Sequence, residues 1–122
     1  MPVQSRGRSE VSLRPLRESD CELLFRWRND PWIVSLGSLN RRVSADEHNA
    51  WFERAIVGND IRVFIIQTDD EDIGQIRFVR GQDSCWEVSI YLMKDHTGRG
   101  YGVEAIRAAC NAFAQKDATA IF

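Results

Sequence analysis

The stretch Met93-Lys-Asp-His-Thr-Gly-Arg-Gly-Tyr-Gly-Val-Glu104 carries glycines at the alternate positions 98, 100 and 102. An apolar, strand-like run precedes it, and a helical run follows it. Alternating glycines let a backbone turn tightly and point several N–H groups at one spot, and a helix that starts directly after them adds the positive end of its dipole. The stretch therefore predicts a loop that binds phosphate or diphosphate, although the glycines alone fit a plain connector equally well.

The composition indicates one domain of ordinary globular character. The chain has 122 residues, of which 43% are hydrophobic and 28% charged, and its net charge is −2. Without a basic excess, nothing predicts nucleic acid or a membrane as a partner, and no apolar run approaches the roughly 20 residues of a membrane span. The 3 cysteines are widely spaced and form no CxxC pair. This usage indicates reduced thiols in a cytoplasmic protein and predicts no metal site.

Two helices are predicted in the first half of the chain. Residues 1–10 are polar and are predicted to be disordered, and residues 11–16 alternate as a strand does. The capping-box pattern Ser19–Glu22 opens a helix that ends before Pro31, and residues 32–43 are predicted to be a loop. A second capping box, Ser44–Glu47, opens a helix with four side chains on one face: His48, Trp51, Phe52 and Ala55.

Three strands at hairpin spacing follow, over 61–66, 73–79 and 85–92, with an acidic turn at 69–72. After the glycine stretch, a helix is predicted over 103–115, with one apolar stripe made of Val103, Ile106, Cys110 and Phe113. Residues 118–122 then resemble a further strand, whose unpaired edge predicts a homodimer or larger assembly. The order β-α-α-β-β-β-α-β predicts a mixed α/β fold, with helices covering a mostly antiparallel sheet.

This order and the glycine stretch together resemble the GNAT N-acetyltransferase family, over residues 11–122. Thr97-Gly-Arg-Gly-Tyr-Gly102 is similar to the acetyl-CoA diphosphate loop of the family, Gln/Arg-x-x-Gly-x-Gly/Ala, with Thr97 in place of Gln or Arg. The resemblance implies that acetyl-CoA is the co-substrate, bound by the loop and by the strand before it: Thr97, Gly98, Arg99, Gly100, Tyr101, Gly102, Ser89, Ile90 and Leu92. A complete GNAT domain continues with another helix and two strands, so the resemblance implies a C-terminally incomplete domain, either a fragment or one that another protomer completes.

Two further motifs are similar to a narrower group within that family. Trp27-Arg-Asn-Asp-Pro31 and His48-x-x-Trp51-Phe52 resemble acetyltransferases of nucleotide-linked amino sugars in pseudaminic acid synthesis and, next to them, ribosomal-protein N-terminal acetyltransferases. The resemblance implies transfer of an acetyl group to a primary amine, by direct attack, on a small molecule or a peptide N-terminus. A GNAT-like module that binds acyl-CoA without turnover is the alternative. A nucleotide-binding domain of unrelated fold is disfavoured, because no Gly-Lys-Ser/Thr follows the loop.

The strand before the loop carries the candidate catalytic residues. Cys85, Glu87, Ser89 and Tyr91 share one face of it. The resemblance implies that Glu87 is the general base, acting through water, and the alternative is a solvated strand carboxylate. Tyr91 is predicted to be either a hydrogen-bonding group at the site or an amphipathic core tyrosine.

The acceptor pocket is predicted around four residues: Arg28, Asn29, Trp32 and His48. Arg28 would suit a nucleotide phosphate, or else pair with a surface carboxylate. Trp32 would form a wall of the pocket. His48 would orient or deprotonate the amine, since its pKa lies near neutrality, and a packed histidine is the alternative. His96, beside the glycine loop, is expected to be exposed.

Overall fold

Within the residues that the structure describes, the chain folds around an antiparallel sheet of four strands, which pair in the order in which they occur in the sequence. The structure, a computed structural model, describes residues 10–37, 41–83 and 85–116. The elements follow along the chain as β1 (Ser12–Pro15), α1 (Cys21–Arg28), α2 (Pro31–Leu36), α3 (Ala45–Val57), β2 (Ile61–Thr68), β3 (Glu71–Arg80), β4 (Trp86–Leu92) and α4 (Tyr101–Lys116). The predicted mixed α/β fold with an antiparallel meander is therefore confirmed. In these described parts, no helix is long and apolar enough to cross a membrane.

The sheet separates two hydrophobic clusters. On one face, α4 packs on strand residues of β2 to β4, among them Phe78, which is fully buried. On the other face, α1 and α3 supply Leu24, Trp27, Trp51 and Phe52. The predicted faces of β4 agree with this division, because Ile90 packs against the first cluster and Tyr91 against the second.

Helix α3 has the predicted start and the predicted buried face. The hydroxyl of Ser44 accepts a hydrogen bond from the N–H of Glu47 at 3.1 Å, and the Glu47 carboxylate accepts one from the N–H of Ser44 at 3.1 Å. The helix ends at Gly58, whose φ of 80° is the left-handed conformation that glycine adopts without strain. All four residues predicted for its inner face are buried.

The capping box predicted at Ser19–Glu22 is wrong. A 3-10 turn covers Glu18–Asp20, and α1 begins only at Cys21. The reason is that Asp20 is buried and engaged elsewhere: its two oxygens accept bonds from the Arg14 guanidinium at 2.9 Å each, and one also accepts from the N–H of Arg17 at 2.8 Å. This buried ion pair holds the chain between β1 and α1.

The loop predicted over residues 32–43 is also partly wrong, because Pro31–Leu36 is a helix. Asp30 caps it by accepting a bond from the N–H of Trp32 at 2.9 Å, and Pro31 occupies the first helical position, where its missing N–H costs nothing. The Asp-Pro pair thus ends one helix and starts the next.

The apolar stripe predicted for α4 is only partly right. Ile106 packs against the first cluster as predicted, but the buried residues that face the sheet are Tyr101, Ala105 and Ala109, while Val103 is 61% exposed. The helix starts two residues earlier than predicted, and its alanines allow a close approach to the sheet. The predicted side chain of Phe113, the strand over residues 118–122 and the N-terminal segment over residues 1–9 lie outside what the structure describes.

Candidate active site

The glycine stretch connects β4 to α4 through two backbone turns. A 3-10 turn covers Lys94–His96, and the N–H and hydroxyl of Thr97 both donate to the Lys94 carbonyl, at 3.3 and 2.9 Å. Gly98 and Gly100 then adopt left-handed φ angles of 77° and 81°. A side chain at either position would strain the backbone, so the conformation explains why glycine stands there.

The first turn of α4 faces the end of this loop with free donors. The N–H of Glu104 bonds to the Gly100 carbonyl at 3.3 Å, so the N–H groups of the three residues between them have no acceptor inside the helix. A Cβ built on Gly98 would meet no atom within 4 Å, which indicates open space beside the loop. Left-handed glycines followed by a helix start form a site suited to a phosphate or diphosphate.

The end of β4 lies between this loop and α2. The indole N–H of Trp32 donates to the Leu92 carbonyl at 3.0 Å, and a Cβ on Gly102 would lie 4.0 Å from the Leu92 side chain. Trp32 thus braces the strand that leads into the loop and does not contact the cavity described next. Glu87 lies farther back on β4 and is exposed.

A cavity of about 400 Å³ lies between α2, the segment after it and the surfaces of β3 and β4. Its apolar side is formed by α2, and none of its lining residues belongs to the glycine loop. Polar side chains on its floor come from α1, β3 and β4: Arg28, Gln75, Arg77, Ser89 and Tyr91. The structure thus brings together four predicted site residues, Arg28, Ser89, Ile90 and Tyr91, with two polar residues that were not predicted, Gln75 and Arg77.

Gln75 and Arg77 are the residues that the sequence reasoning missed. They lie opposite Tyr91 and Ser89 in the β3–β4 register. A signal was present, since both are polar residues at alternate positions of an otherwise apolar strand, on the face that Tyr91 shares. Gln75 is only 3% exposed.

Tyr91 both packs against the second hydrophobic cluster and lines the cavity. The ring packs edge-on against Trp27, with ring centroids 6.2 Å apart. The hydroxyl is buried without a hydrogen-bond partner. Burial raises the pKa of Tyr91, against the opposing effect of the nearby Arg28 and Arg77 charges, so the phenol keeps its proton and can act as a donor.

Arg28 and Arg77 approach the same aromatic ring. Their guanidinium carbons lie 4.7 and 5.9 Å from the centroid of the Trp51 ring. Burial lowers the pKa of both arginines, and for Arg28 the like charge of Arg77 lowers the pKa further. Among the described residues, neither forms an ion pair with a carboxylate; the Glu47 carboxylate binds Arg41 at 2.8 Å. Within the described residues, Arg28 thus has no carboxylate at ion-pair distance, and Glu47 acts on it only through its charge.

His48 lies behind Arg28, and it does not line the cavity. It is 1% exposed, its Nε2 lies 2.8 Å from the Cys21 carbonyl, and its Nδ1 lies 3.1 Å from an Arg28 nitrogen. Arginine can only donate, so Nδ1 must accept and Nε2 must carry the proton. One neutral tautomer satisfies both bonds. The structure thus corrects the role predicted for His48 as a direct contact of the amine: it is a packed residue that positions Arg28.

Two smaller predictions also change. The Asn29 side chain does not line the cavity, and its amide is engaged by the Val43 backbone through bonds of 2.9 and 2.6 Å, so it holds a residue of the cavity wall in place. His96 is not exposed as expected: its side chain is 17% exposed, and its Nε2 lies 3.4 Å from a Glu71 oxygen. Among the described residues, no group of three or more histidine, cysteine and acidic side chains could hold a metal ion.

Residues 10–121 match the acetyltransferase (GNAT) domain family. The chain belongs to this family. It is 26% identical over 85 residues to the acetyltransferase PseH of Campylobacter jejuni, a match that covers 70% of this chain and 54% of that protein. The chain thus spans just over half the length of this relative.

Solved structures share the fold. The spermidine N-acetyltransferase of Vibrio cholerae, in complex with CoA and spermine, superposes with a TM-score of 0.72 at 20% identity, over 90% of this chain and 66% of that one. The Salmonella typhimurium acetyltransferase that modifies the N-terminal serine of ribosomal protein L7/L12 gives 0.69 at 18% identity, over 88% and 65%. At these identities the likeness shows the fold alone.

Proposed function

We propose that the protein is an acetyl-CoA-dependent N-acetyltransferase that moves an acetyl group to a primary amine by direct attack. The observation that carries this proposal is the glycine loop at the end of β4, with left-handed Gly98 and Gly100 and the unpaired N–H groups of the α4 start. Membership of the GNAT family supports it.

The residues of the loop fit the diphosphate of coenzyme A. Backbone N–H groups of Tyr101, Gly102 and Val103 would hold the phosphate oxygens, and the open space beside Gly98 leaves room for them. Thr97 contributes by closing the preceding turn, because its hydroxyl is committed to the Lys94 carbonyl. When bound, acetyl-CoA supplies the activated acetyl thioester.

The chemistry demands little of the protein. A bond forms between the amine nitrogen and the carbonyl carbon while the C–S bond breaks, the nitrogen loses a proton and the departing sulfur takes one. A thiol has a pKa of about 8.5, so the sulfur needs no strong acid. Glu87, exposed on β4, would accept the amine proton through water. Tyr91, which keeps its proton, would donate a hydrogen bond inside the cavity.

For the acceptor we propose an amino sugar nucleotide or a protein N-terminus, bound in the cavity beside Arg28. The motifs Trp27–Pro31 and His48–Phe52 support this choice, as does the match to PseH. A cytoplasmic homodimer or larger assembly belongs to the same proposal, and a monomer in light scattering would contradict that part.

Calorimetry with a matched pair of glycine variants tests the loop. Gly98 and Gly58 have φ angles of 77° and 80°, and neither has an atom within 4 Å of an added Cβ. Alanine at either position costs about 1–2 kcal/mol of stability through backbone strain. Only Gly98→Ala should weaken acetyl-CoA binding, whereas Gly58→Ala at the end of α3 should bind as the unmodified protein does.

A thiol-release assay over a panel of amines then tests turnover. Binding of acetyl-CoA without thiol release from any amine would favour the non-catalytic module. Absence of binding at high micromolar acetyl-CoA, or equal loss in both glycine variants, would overturn the assignment of the loop.

A further inference from the structure

We infer that the cavity beside Trp51 binds a phosphoryl group of the acceptor, held between Arg28 and Arg77. That the bound molecule is the acceptor follows from the proposed function. The phosphoryl site itself follows from the geometry of the cavity. Buried polar atoms in proteins nearly always have a hydrogen-bond partner, so unpartnered ones call for an explanation. Among the described residues, four buried side-chain atoms lack one, and three of those belong to residues that line this cavity: Gln75 Oε1, Arg77 Nε and the Tyr91 hydroxyl.

The unpartnered atoms have the polarity of a binding site. The Nε–H of Arg77 and the O–H of Tyr91 are donors, which suit phosphoryl oxygens. The Gln75 oxygen is an acceptor, which suits a hydroxyl or an amine N–H on the same molecule. Two donors beside one acceptor therefore match a small molecule that carries both a phosphoryl group and a hydroxyl or amine.

The charges favour a dianion. Arg28 and Arg77 share the Trp51 ring, and neither forms an ion pair with a described carboxylate; the charge of Glu47, which binds Arg41, offsets that of Arg28 only in part. Two like charges that are partly buried repel each other and lose hydration, a cost that a bound anion removes. A phosphate monoester carries about −1.5 to −2 at neutral pH, whereas a carboxylate carries only −1. The phosphoryl group therefore balances the pair better than a carboxylate does.

The same charges act against polycationic amines. A polyamine or an aminoglycoside would bring further positive charge to two arginines that already repel each other. We therefore expect this cavity to bind amines that also carry a negative group more tightly than amines that carry a second positive group.

The chain contains an internal control for the arginine pair. Arg62 and Arg80 lie 5.3 and 5.0 Å from the centroid of the Trp86 ring, so a second tryptophan also contacts two guanidinium groups. Neither of these arginines lines the cavity, and Arg80 is exposed on β3. Arg80→Met thus removes an arginine–tryptophan contact of similar geometry without touching the proposed site.

Calorimetry with CoA present at saturation tests the inference, because CoA then fills the diphosphate loop and the heat of probe binding reports on sites other than that loop. The probes are glucosamine 6-phosphate, glucosamine and glucuronic acid, which carry a phosphoryl group, an amine alone and a carboxylate. We expect the phosphorylated probe to bind at least tenfold more tightly than the other two. Equal binding of all three, or equal binding of the phosphate and the carboxylate, would overturn the phosphoryl assignment.

Variants of Arg77 locate the site. Loss of one charge-assisted hydrogen bond should weaken binding of glucosamine 6-phosphate about tenfold to a hundredfold in Arg77→Met, with no change in Arg80→Met. Arg77→Lys keeps the charge and loses the planar donor fork, so binding should fall by a smaller factor. This second variant decides the matter if Arg77→Met does not fold. Equal binding in all three variants would place the phosphate elsewhere and overturn the inference.

Failure of this inference and failure of the proposed function give different results. Thiol release with unphosphorylated amines, and none with their phosphate esters, would leave an acetyltransferase without a phosphoryl site. Arg77-dependent binding of the phosphate ester with no thiol release from any amine would leave the phosphoryl site without an acetyltransferase.

Discussion

The buried histidine offers the sharpest test of the site architecture. His48 connects α3 to α1 through the Cys21 carbonyl and holds Arg28 at the cavity wall. Substitution by Phe keeps an aromatic ring among Phe25, Trp51 and Phe52, whose ring centroids lie 5.3 to 6.1 Å from that of His48, and removes both nitrogens.

The cost follows from those two bonds. The Cys21 carbonyl belongs to helix α1 and keeps its intrahelical bond, so loss of the second bond, from His48, costs about 0.5–1.5 kcal/mol. The bond to a charged arginine adds a further ~1 kcal/mol once the hydration that Arg28 regains in the cavity is discounted. We therefore expect His48→Phe to lower the free energy of unfolding by about 1.5–2.5 kcal/mol, or the melting temperature by roughly 8 °C for a domain of this size. Urea denaturation measures the first quantity directly.

Two conservative variants separate the two bonds. Gln carries an amide nitrogen near the position of Nε2, and Asn carries an oxygen near the position of Nδ1. His48→Gln should therefore retain the Cys21 bond and more stability, while His48→Asn should retain the contact with Arg28 and more acceptor binding. Equal stability and equal acceptor binding in the two variants would refute the assigned tautomer.

The pH dependence has a definite sign. Burial lowers the pKa of His48, the bond to the Cys21 carbonyl raises it, and the charge of Arg28 lowers it again, so that the net pKa lies below its usual value. In the unfolded chain the pKa returns to about 6.5, so the unfolded state binds more protons below that pH. The stability contributed by neutral His48 is thus complete above pH ~6.5 and is lost as the pH falls toward the folded pKa.

A comparison of variants isolates this effect, because the chain has only 2 histidines. The slope of unfolding free energy between pH 5 and 7 should flatten in His48→Gln and persist in His96→Gln. A slope that disappears only in His96→Gln would refute the reasoning.

Three further changes probe the scaffold. Gly74→Ala would place a Cβ 2.3 Å from the Tyr91 carbonyl, so we expect a loss of about 1–3 kcal/mol from overpacking and a displaced end of β4, visible as altered amide shifts of that strand. Arg14→Met leaves the buried Asp20 carboxylate without its cation and should cost about 3–5 kcal/mol in urea denaturation, whereas Arg14→Met combined with Asp20→Asn should recover part of this. Phe78→Ala empties a fully buried site and should lower the melting temperature by an amount equivalent to about 3–5 kcal/mol, with acetyl-CoA binding per folded molecule unchanged.

The sheet was predictable because local patterns determine it. Strands separated by short turns carry alternating apolar residues, and α3 has a capping box at its start and a glycine at its end. These signals depend on residues only a few positions apart in the sequence, so contacts with distant residues do not change the local structure that they predict. The glycine loop belongs to the same class, since Gly98 and Gly100 adopt the left-handed angles that favour glycine.

The errors arose where distant residues decide the local structure. Ser19 resembles a helix cap, yet the Arg14 guanidinium captures Asp20 and moves the helix start to Cys21. The stripe of α4 was assigned to larger residues, of which Ile106 does pack against the sheet cluster, but its fully buried contacts come from Ala105 and Ala109.

The cavity was only half predicted for the same reason. Arg28 was predicted from a sequence motif. Arg77 becomes a candidate only because Trp51 and Tyr91, which belong to other elements, lie beside it in the fold. The sequence on either side of Arg77 does not predict that its Nε–H remains without a hydrogen-bond partner.

The turn between β2 and β3 has a consequence for how the chain folds. Asp69 and Asp70 join the two longest strands, of 8 and 10 residues, with φ angles of 54° and 64°, the positive values of the tight hairpin turn whose twist matches the strands. Such a hairpin closes across two residues, whereas the chain from β1 must first pass through the three helices α1, α2 and α3 before Ser12 can pair with Gln67. Because the entropy of loop closure grows with the length of the loop, the central hairpin should form first and β1 should join it late. A glycine at Asp70 would relieve the left-handed strain where folding begins, so it should speed folding more than it slows unfolding.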